Sequence, residues 1–424
     1  MLVAYQVPVS PAYADDTDAC SEASVATADG IAACTRAIES GGLQDADLAT
    51  AYLHRGIAYA ASRDVDRAMA DYSAAIRLDP GNMLAHTKRA GLYLRRRDPG
   101  AAIADYDKAI EIDPTVASTF YDRGNAYAAM RDYDLAISDF DEAIRLDPAA
   151  INPRFGRGAA HVAQGDLAGA IADYGEVIRI DPKAVNAYNS RALAFAATHD
   201  YDHAIADYTE VMRLNPDYAP AYYTRGLAYY NKGDLDRAIA DYDEEIRREP
   251  DFMDGYNNRA RAFVAKGDFD RAIADYDEVI RRDPNHVFAH DNRGLAYYAK
   301  RDLERAVADF SAAIELDPTY AGAYNNRGNA YDDGGDHDRA IADYSEAIRL
   351  DDQYSEAHFN RGVAYAAKGD LDQAIADFDA TIELDPDLAF AYLRRGIAKR
   401  AQGDAVGAEA DIAKAKRLDP RLGN

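Results

Sequence analysis

Tryptophan is absent and cysteine nearly so: the 424 residues include no Trp and only two Cys, Cys20 and Cys34. Both cysteines precede residue 48, so the rest of the chain has no disulfide to staple it and no thiol for catalysis or metal binding. Long apolar runs are missing too. Nothing approaches the roughly 18 consecutive apolar residues of a membrane-spanning helix, so no span is expected. Basic residues are outnumbered, Lys+Arg 48 against Asp+Glu 74, for a formal charge of -26. Such a field repels nucleic acid and anionic lipid, which leaves proteins or peptides, basic segments among them, as the partner class.

Signatures of catalysis are missing in the same way. There is no phosphate-binding loop, no nucleophile elbow and no Cys-His pairing. The closely spaced histidine pairs, His199 with His203 and His286 with His290, fall at turns and helix starts and read as packing or surface residues rather than metal ligands. The acidic run Asp332 to Asp338 lacks the ligand spacing of a calcium loop and reads as a turn between helices. A non-enzyme with no cofactor and no metal is expected.

Residues 1–14 carry no charged side chain and end Ala12-Tyr13-Ala14 ahead of Asp15-Asp16, a small-x-small pattern that fits a signal-peptidase site. The segment has no basic start, and Gln6 and Pro8 interrupt its apolar core, as in a signal peptide whose true start lies upstream. The expected location is the periplasm or the cell exterior, with the cytoplasm as the alternative. In an exported chain Cys20 and Cys34 are expected to pair, a bridge worth about 3 kcal/mol for a loop of that size.

What is present is repetition. Pro80, Pro114, Pro148, Pro182, Pro216, Pro250, Pro284, Pro318, Pro386 and Pro420 lie on one 34-residue grid, with Asp352 in the single vacant slot. A strict period of this length marks a repeat array. Residues 117–150 show the unit: two short amphipathic patterns, a turn at Arg131-Asp132, and Asp147-Pro148 at the close. Arg-Gly or Arg-Ala recurs in the middle of each first helix, as at Arg55-Gly56, Arg123-Gly124 and Arg327-Gly328. Glycine in mid-helix costs up to about 1 kcal/mol relative to alanine, so its return at one phase points to close helix approach. Tyr59, Tyr127, Phe195, Tyr229 and their counterparts follow three residues after the glycine position. The second helix carries Ala-Ile-Ala-Asp-Tyr or a near variant, as at Ala102 to Tyr106. Its aspartates, Asp71, Asp105, Asp139 and equivalents, are expected to meet the arginines six residues on, such as Arg77 and Arg145, on the helix surface or between repeats.

This pattern, small residue and Tyr in one helix, Ala-x-x-x-Tyr/Phe in the next, then Pro on a 34-residue frame, resembles the tetratricopeptide repeat (TPR). The resemblance covers nearly the whole chain. It departs from the family pattern in having no tryptophan, whose place is taken by Tyr52, Phe120, Tyr188, Tyr222, Tyr256, Tyr324 and Tyr392. It implies an all-α fold, a right-handed superhelical solenoid of tandem helix-turn-helix repeats. Residues 15–48 would be a lead-in with a partial repeat, and residues 49–422 eleven full units. The last unit, 389–422, has Glu409 and Lys416 where the others place apolar residues seven apart, so its outer seam reads as a polar cap.

The resemblance also implies that first helices line a concave groove, with positions beside the Arg-Gly pair facing a partner. The candidate partner-binding residues are Tyr121, Asn125, Phe155, Asn189, Tyr223, Asn257, Asn258, Arg261, Asn292, Asn325, Asn326, Asn329, Phe359 and Asn360. An amide both donates and accepts, which suits a peptide backbone of any sequence. Such a row resembles the asparagine ladder lining the groove in some members of the family. Tyr121, Phe155, Tyr223 and Phe359 would serve as apolar anchors. The function expected is a protein-interaction scaffold that holds an extended or helical segment. A substrate-recruiting or accessory subunit of an enzyme or envelope-assembly complex, and a structural spacer, are the alternatives.

Overall fold

The computed structural model describes residues 19–20 and 28–423, and the 1–14 segment lies outside the described residues. Ala28–Glu39 forms a helix, and Asp45–Ala61 with Val65–Leu78 begins a series of eleven helix pairs. The described residues contain no strand. The chain divides into two compact units, Met1–Asn215 and Pro216–Asn424. Among the described residues, the first unit holds five of these pairs after Ala28–Glu39, and the second holds six. Within each unit a second helix packs on its own first helix and on the first helix of the next pair, and successive first helices touch one another.

Local chemistry sets these boundaries. In nearly every pair an aspartate caps the second helix; Asp132 accepts from the Leu135 N–H, and Asp234 from the Arg237 N–H. One residue before that cap the backbone turns left-handed. Gly165, Gly233, Gly267, Gly335, Gly369 and Gly403 take this conformation freely, whereas Arg63, Arg97, Arg131, His199 and Arg301 hold it with a side chain. The close approach expected at the Arg-Gly pair is real. A methyl group on Gly124 would stand 2.8 Å from the Phe140 ring, and one on Gly328 2.6 Å from the Tyr344 ring. These second-helix aromatics are the largest buried side chains of their repeats, and Ile412 takes their place in the last one.

The partner expected for the second-helix aspartates is not the one they have. Asp139 is buried and clasped by Arg123 of the first helix, 16 residues earlier, with Nε donating to Oδ2 at 2.8 Å and Nη2 to Oδ1 at 2.7 Å. The same fork joins Arg55 to Asp71, Arg89 to Asp105, Arg225 to Asp241, Arg327 to Asp343 and every other pair through Arg395 and Asp411. The hydrogen-bonded carboxylate raises the Arg123 and Arg327 pKa values above the usual range. Arginines six residues after the Asp lie on a different helical face, and Arg145 bonds instead to Glu142. The remaining guanidinium nitrogen reaches back to the preceding hairpin: Arg123 Nη1 to Asp107 at 2.6 Å, Arg327 Nη1 to Ser311 at 3.0 Å. An arginine with this third bond joins three helices, whereas Arg191, which faces Gly175, keeps only its fork to Asp207.

At the N-terminus a disulfide joins Cys20 to Cys34, and both pack with Ala51, Ile38 and Leu43. Glu409 and Lys416 are exposed on Ala405–Leu418.

Candidate functional site

Four positions per first helix, at i, i+3, i+4 and i+7, form one stripe. In Val287–Ala299 they are Phe288, Asp291, Asn292 and Leu295. One repeat earlier they are Asp254, Asn257, Asn258 and Arg261, and one later Gly322, Asn325, Asn326 and Asn329. Because successive first helices touch within a unit, these stripes adjoin and make a wall.

The asparagines do not stand free on that wall as expected. Asn258 and Asn325 are buried. Asn258 Nδ2 donates to Tyr223 Oη at 3.2 Å and to the Asp254 carbonyl at 3.0 Å, while its own oxygen accepts from Arg261 Nη1 at 3.0 Å. Asn326 Nδ2 donates to Asp291 Oδ1 at 3.0 Å. Asn360 Nδ2 donates to Asn325 Oδ1 and to Asn329 Oδ1, both at 3.1 Å, and Tyr344 Oη also donates to Asn329 Oδ1 at 2.8 Å. The row is therefore a ladder that cross-links neighbouring repeats, because stacking sets the i+4 residue of one stripe against the i+3 residue of the stripe before. One rung is open: the Asn257 oxygen is sealed from solvent without a partner, and Asn292, which would supply the rung, makes no side-chain hydrogen bond. Asn125 and Asn189, half-buried in the first unit, join no ladder.

The expected apolar anchors are also tied down. Tyr121, Phe155, Tyr223 and Phe359 are half-buried against the core rings of their own repeats, Phe140, Tyr174, Tyr242 and Phe378, at centroid distances of 6.0, 5.3, 6.3 and 5.8 Å. Arg261 is exposed, with its guanidinium 5.3 Å from the Tyr230 centroid.

The apolar groups that the wall does expose are others. Phe288 is 59% exposed and Phe390 49%, and Leu295 and Ile397, seven residues further along the same helices, are exposed as well. Leu84 and Leu193 are their counterparts in the first unit. Their signal was present in the sequence, since they occupy the outer two positions of the stripe on the same grid. The expectation had centred on residues adjoining Arg-Gly.

Among the described residues, no cluster of His, Cys, Asp and Glu is placed to hold a metal ion, and no helix is long and apolar enough to cross a membrane. His203 bonds to Asp200 and stacks on Phe195, and His290 lies against the Pro284 carbonyl.

The sequence profile of the tetratricopeptide repeat matches residues 28–117, 121–185, 189–251, 257–321 and 325–389. The chain belongs to the tetratricopeptide repeat family. No curated protein sequence matches it. Among solved structures, MamA is similar at 29% identity over 39% of this chain and 96% of its own, with a TM-score of 0.37. The C-terminal part of a TPR repeat-containing protein from Cytophaga hutchinsonii is 22% identical over 56% of this chain and 97% of its own, with a TM-score of 0.48. YrrB, described as a TPR protein with an unusual peptide-binding site, is 23% identical over 46% of this chain and 97% of its own, with a TM-score of 0.40. TPR arrays bind proteins or peptides and are typically non-enzymatic, so this TPR chain is a protein-interaction scaffold.

Proposed function

We propose that the wall of first helices in the second unit holds an extended or helical segment of a partner protein. The observation that carries this reading is the exposure of Phe288, Leu295, Phe390 and Ile397 at the outer stripe positions of this wall. Exposed aromatic and aliphatic groups aligned on one face are what a partner can bury, at roughly 25 cal/mol per Å² of apolar surface. The ladder supports the reading from beneath: amides already bonded to one another hold the wall in shape, which lowers the ordering cost of binding. Recruiting a substrate for an enzyme, or joining an envelope-assembly complex, would be uses of this same wall.

The test is a random-peptide display selection on the full chain, followed by affinity measurement on Phe288→Ala/Phe390→Ala. Selected peptides should lose at least about 10-fold in affinity, as for apolar interface anchors, with helicity and melting unchanged. Binding that is indifferent to the double variant sinks the reading.

Export to the periplasm or the cell exterior is a separate proposal. The Cys20–Cys34 bridge supports it, since such bonds persist in oxidising compartments. Protein from the native host should resist thiol alkylation and start beyond residue 14; alkylation at both cysteines in freshly lysed cells would rule it out.

A further inference from the structure

We infer that the wall at Phe288 and Asp291 receives a cationic side chain, lysine or arginine, from the partner segment. The inference rests on the wall reading above and adds the chemistry of the occupant.

Eleven of the buried aspartates stand on second helices, and each is clasped by an arginine 16 residues earlier. Asp291 is the exception. It stands on a first helix, is 4% exposed, and has no ion-pair partner among the described residues. Its two oxygens accept only from neutral groups, Oδ1 from Asn326 Nδ2 at 3.0 Å and Oδ2 from Tyr320 Oη at 3.2 Å. Neutral donors leave its formal charge uncompensated, and a buried charge without a counter-charge is expensive. Burial accordingly holds the Asp291 carboxyl above the usual carboxylate range.

The scaffold does not call for a carboxylate there. The same position holds Tyr223, Asn257, Asn325 and Phe359 in neighbouring repeats, and Asn325 accepts its rung from Asn360 as Asp291 accepts one from Asn326. The cations nearest in the array bond elsewhere, Arg261 to Asn258, Arg301 to Asp333 and Lys300 to Asp270, and Arg394 stands three repeats further on. A carboxylate has about four lone-pair sites, and two of those on Asp291 are in use. Next to it stands an aromatic corner. Phe288, one turn earlier on the same face, meets the Tyr320 ring edge-on at 5.4 Å, and Tyr320 is the residue that donates to Asp291. A carboxylate beside exposed π faces is the chemistry that recognises an ammonium or guanidinium group. Asp254 and Glu356, exposed at the Phe288 position of nearby repeats, extend the negative field along the wall.

The experiment uses the peptides selected on the full chain by random display, measured against wild type, Phe288→Ala/Phe390→Ala and Asp291→Asn. Wall-dependent peptides should share a lysine or arginine. Asp291→Asn should weaken them by about 10-fold or more, and neutralising the peptide's cation should do the same, with no further loss when both changes are combined. Peptides that need the two phenylalanines but carry no common cation, or that bind Asp291→Asn within about 2-fold of wild type, overturn this inference and leave the wall reading standing. If no selected peptide depends on the phenylalanines, both fall. Without any ligand, Asp291→Asn should raise the melting temperature by relieving an uncompensated charge. A lowered melting temperature would mark the carboxylate as structural and overturn the inference independently.

Discussion

The first unit also places a carboxylate on its wall, Asp122, one stripe position on from the place that Asp291 fills in the second. Asp122 is half-buried, and although burial raises its pKa, Lys88 acts against that shift. Both residues line a cleft with Thr87, Arg95 and Tyr106. Asp291 has no Lys88. The first-unit wall contains its own counter-charge and joins no amide ladder, whereas the second-unit wall is cross-linked by amides yet keeps one buried charge uncompensated. The same hairpin scaffold thus carries two wall chemistries, and the difference resides at stripe positions the scaffold does not constrain.

If the scaffold is shared, a clasp with the same third partner should be worth the same in both units. Arg123 and Arg259 each keep one exposed aspartate, Asp107 and Asp243, when the buried one is removed. Asp139→Ala and Asp275→Ala should therefore destabilise equally, by about 3–5 kcal/mol, because each breaks a mostly buried ion pair. Denaturant melts that gave clearly unequal losses would break the comparison at its base.

The next largest effect belongs to the second unit alone. Glu245 is 1% exposed, with one oxygen unpartnered, where the first unit has Val177 and Val211. Gly255 opposite leaves it room, since a methyl group there would collide with the carboxyl. Burial, then Glu249 and Asp254, push its pKa up to about 7. A raised folded-state pKa favours the protonated fold. This contribution is therefore full below the unfolded pKa and lost as pH rises through about 7. Glu245→Val with Gly255→Ala should therefore stabilise by roughly 2–3 kcal/mol at about pH 8.5 and much less at about pH 4. A gain that is flat with pH would remove Glu245 as the cause.

Ladder rungs come third. Asn360→Ala should cost about 1–2 kcal/mol and speed hydrogen exchange in Ala321–Asp333 and Ser355–Lys368. Asn125→Ala or Asn189→Ala in the first unit should stay within about 0.5 kcal/mol. Equal losses would mean that the ladder carries no weight. The smallest effect is Arg131→Gly, which should stabilise by at most about 1 kcal/mol, because relief of the left-handed turn is partly offset by the backbone freedom glycine loses on folding.

The scaffold was legible in the sequence because a 34-residue period repeats its own signals: glycine or alanine beneath the core ring, the turn before the cap, and proline after all but one hairpin. The Asp-Arg clasp was less legible. Its partners are 16 residues apart across a hairpin, and the nearer arginines compete for attention while pointing to another face. The wall was the least legible. That Asn360 reaches Asn325 and Asn329 depends on lateral stacking of repeats, which no single helix pattern expresses. Polar residue type alone could not separate an amide spent on its neighbour from one left for a partner. Phe288 and Phe390 lie a turn or more from the Arg-Gly position, and their exposure is decided by the repeats on either side.

Where it forms, the third bond of the clasp arginine gives the array a direction. Arg123 reaches back to Asp107, Arg259 to Asp243 and Arg395 to Asp379, always to a hairpin nearer the N-terminus. On a ribosome, the anchor for this bond has already emerged when the new hairpin appears. As far as this bond is concerned, the structure can be laid down like courses of brick, each set on the one before.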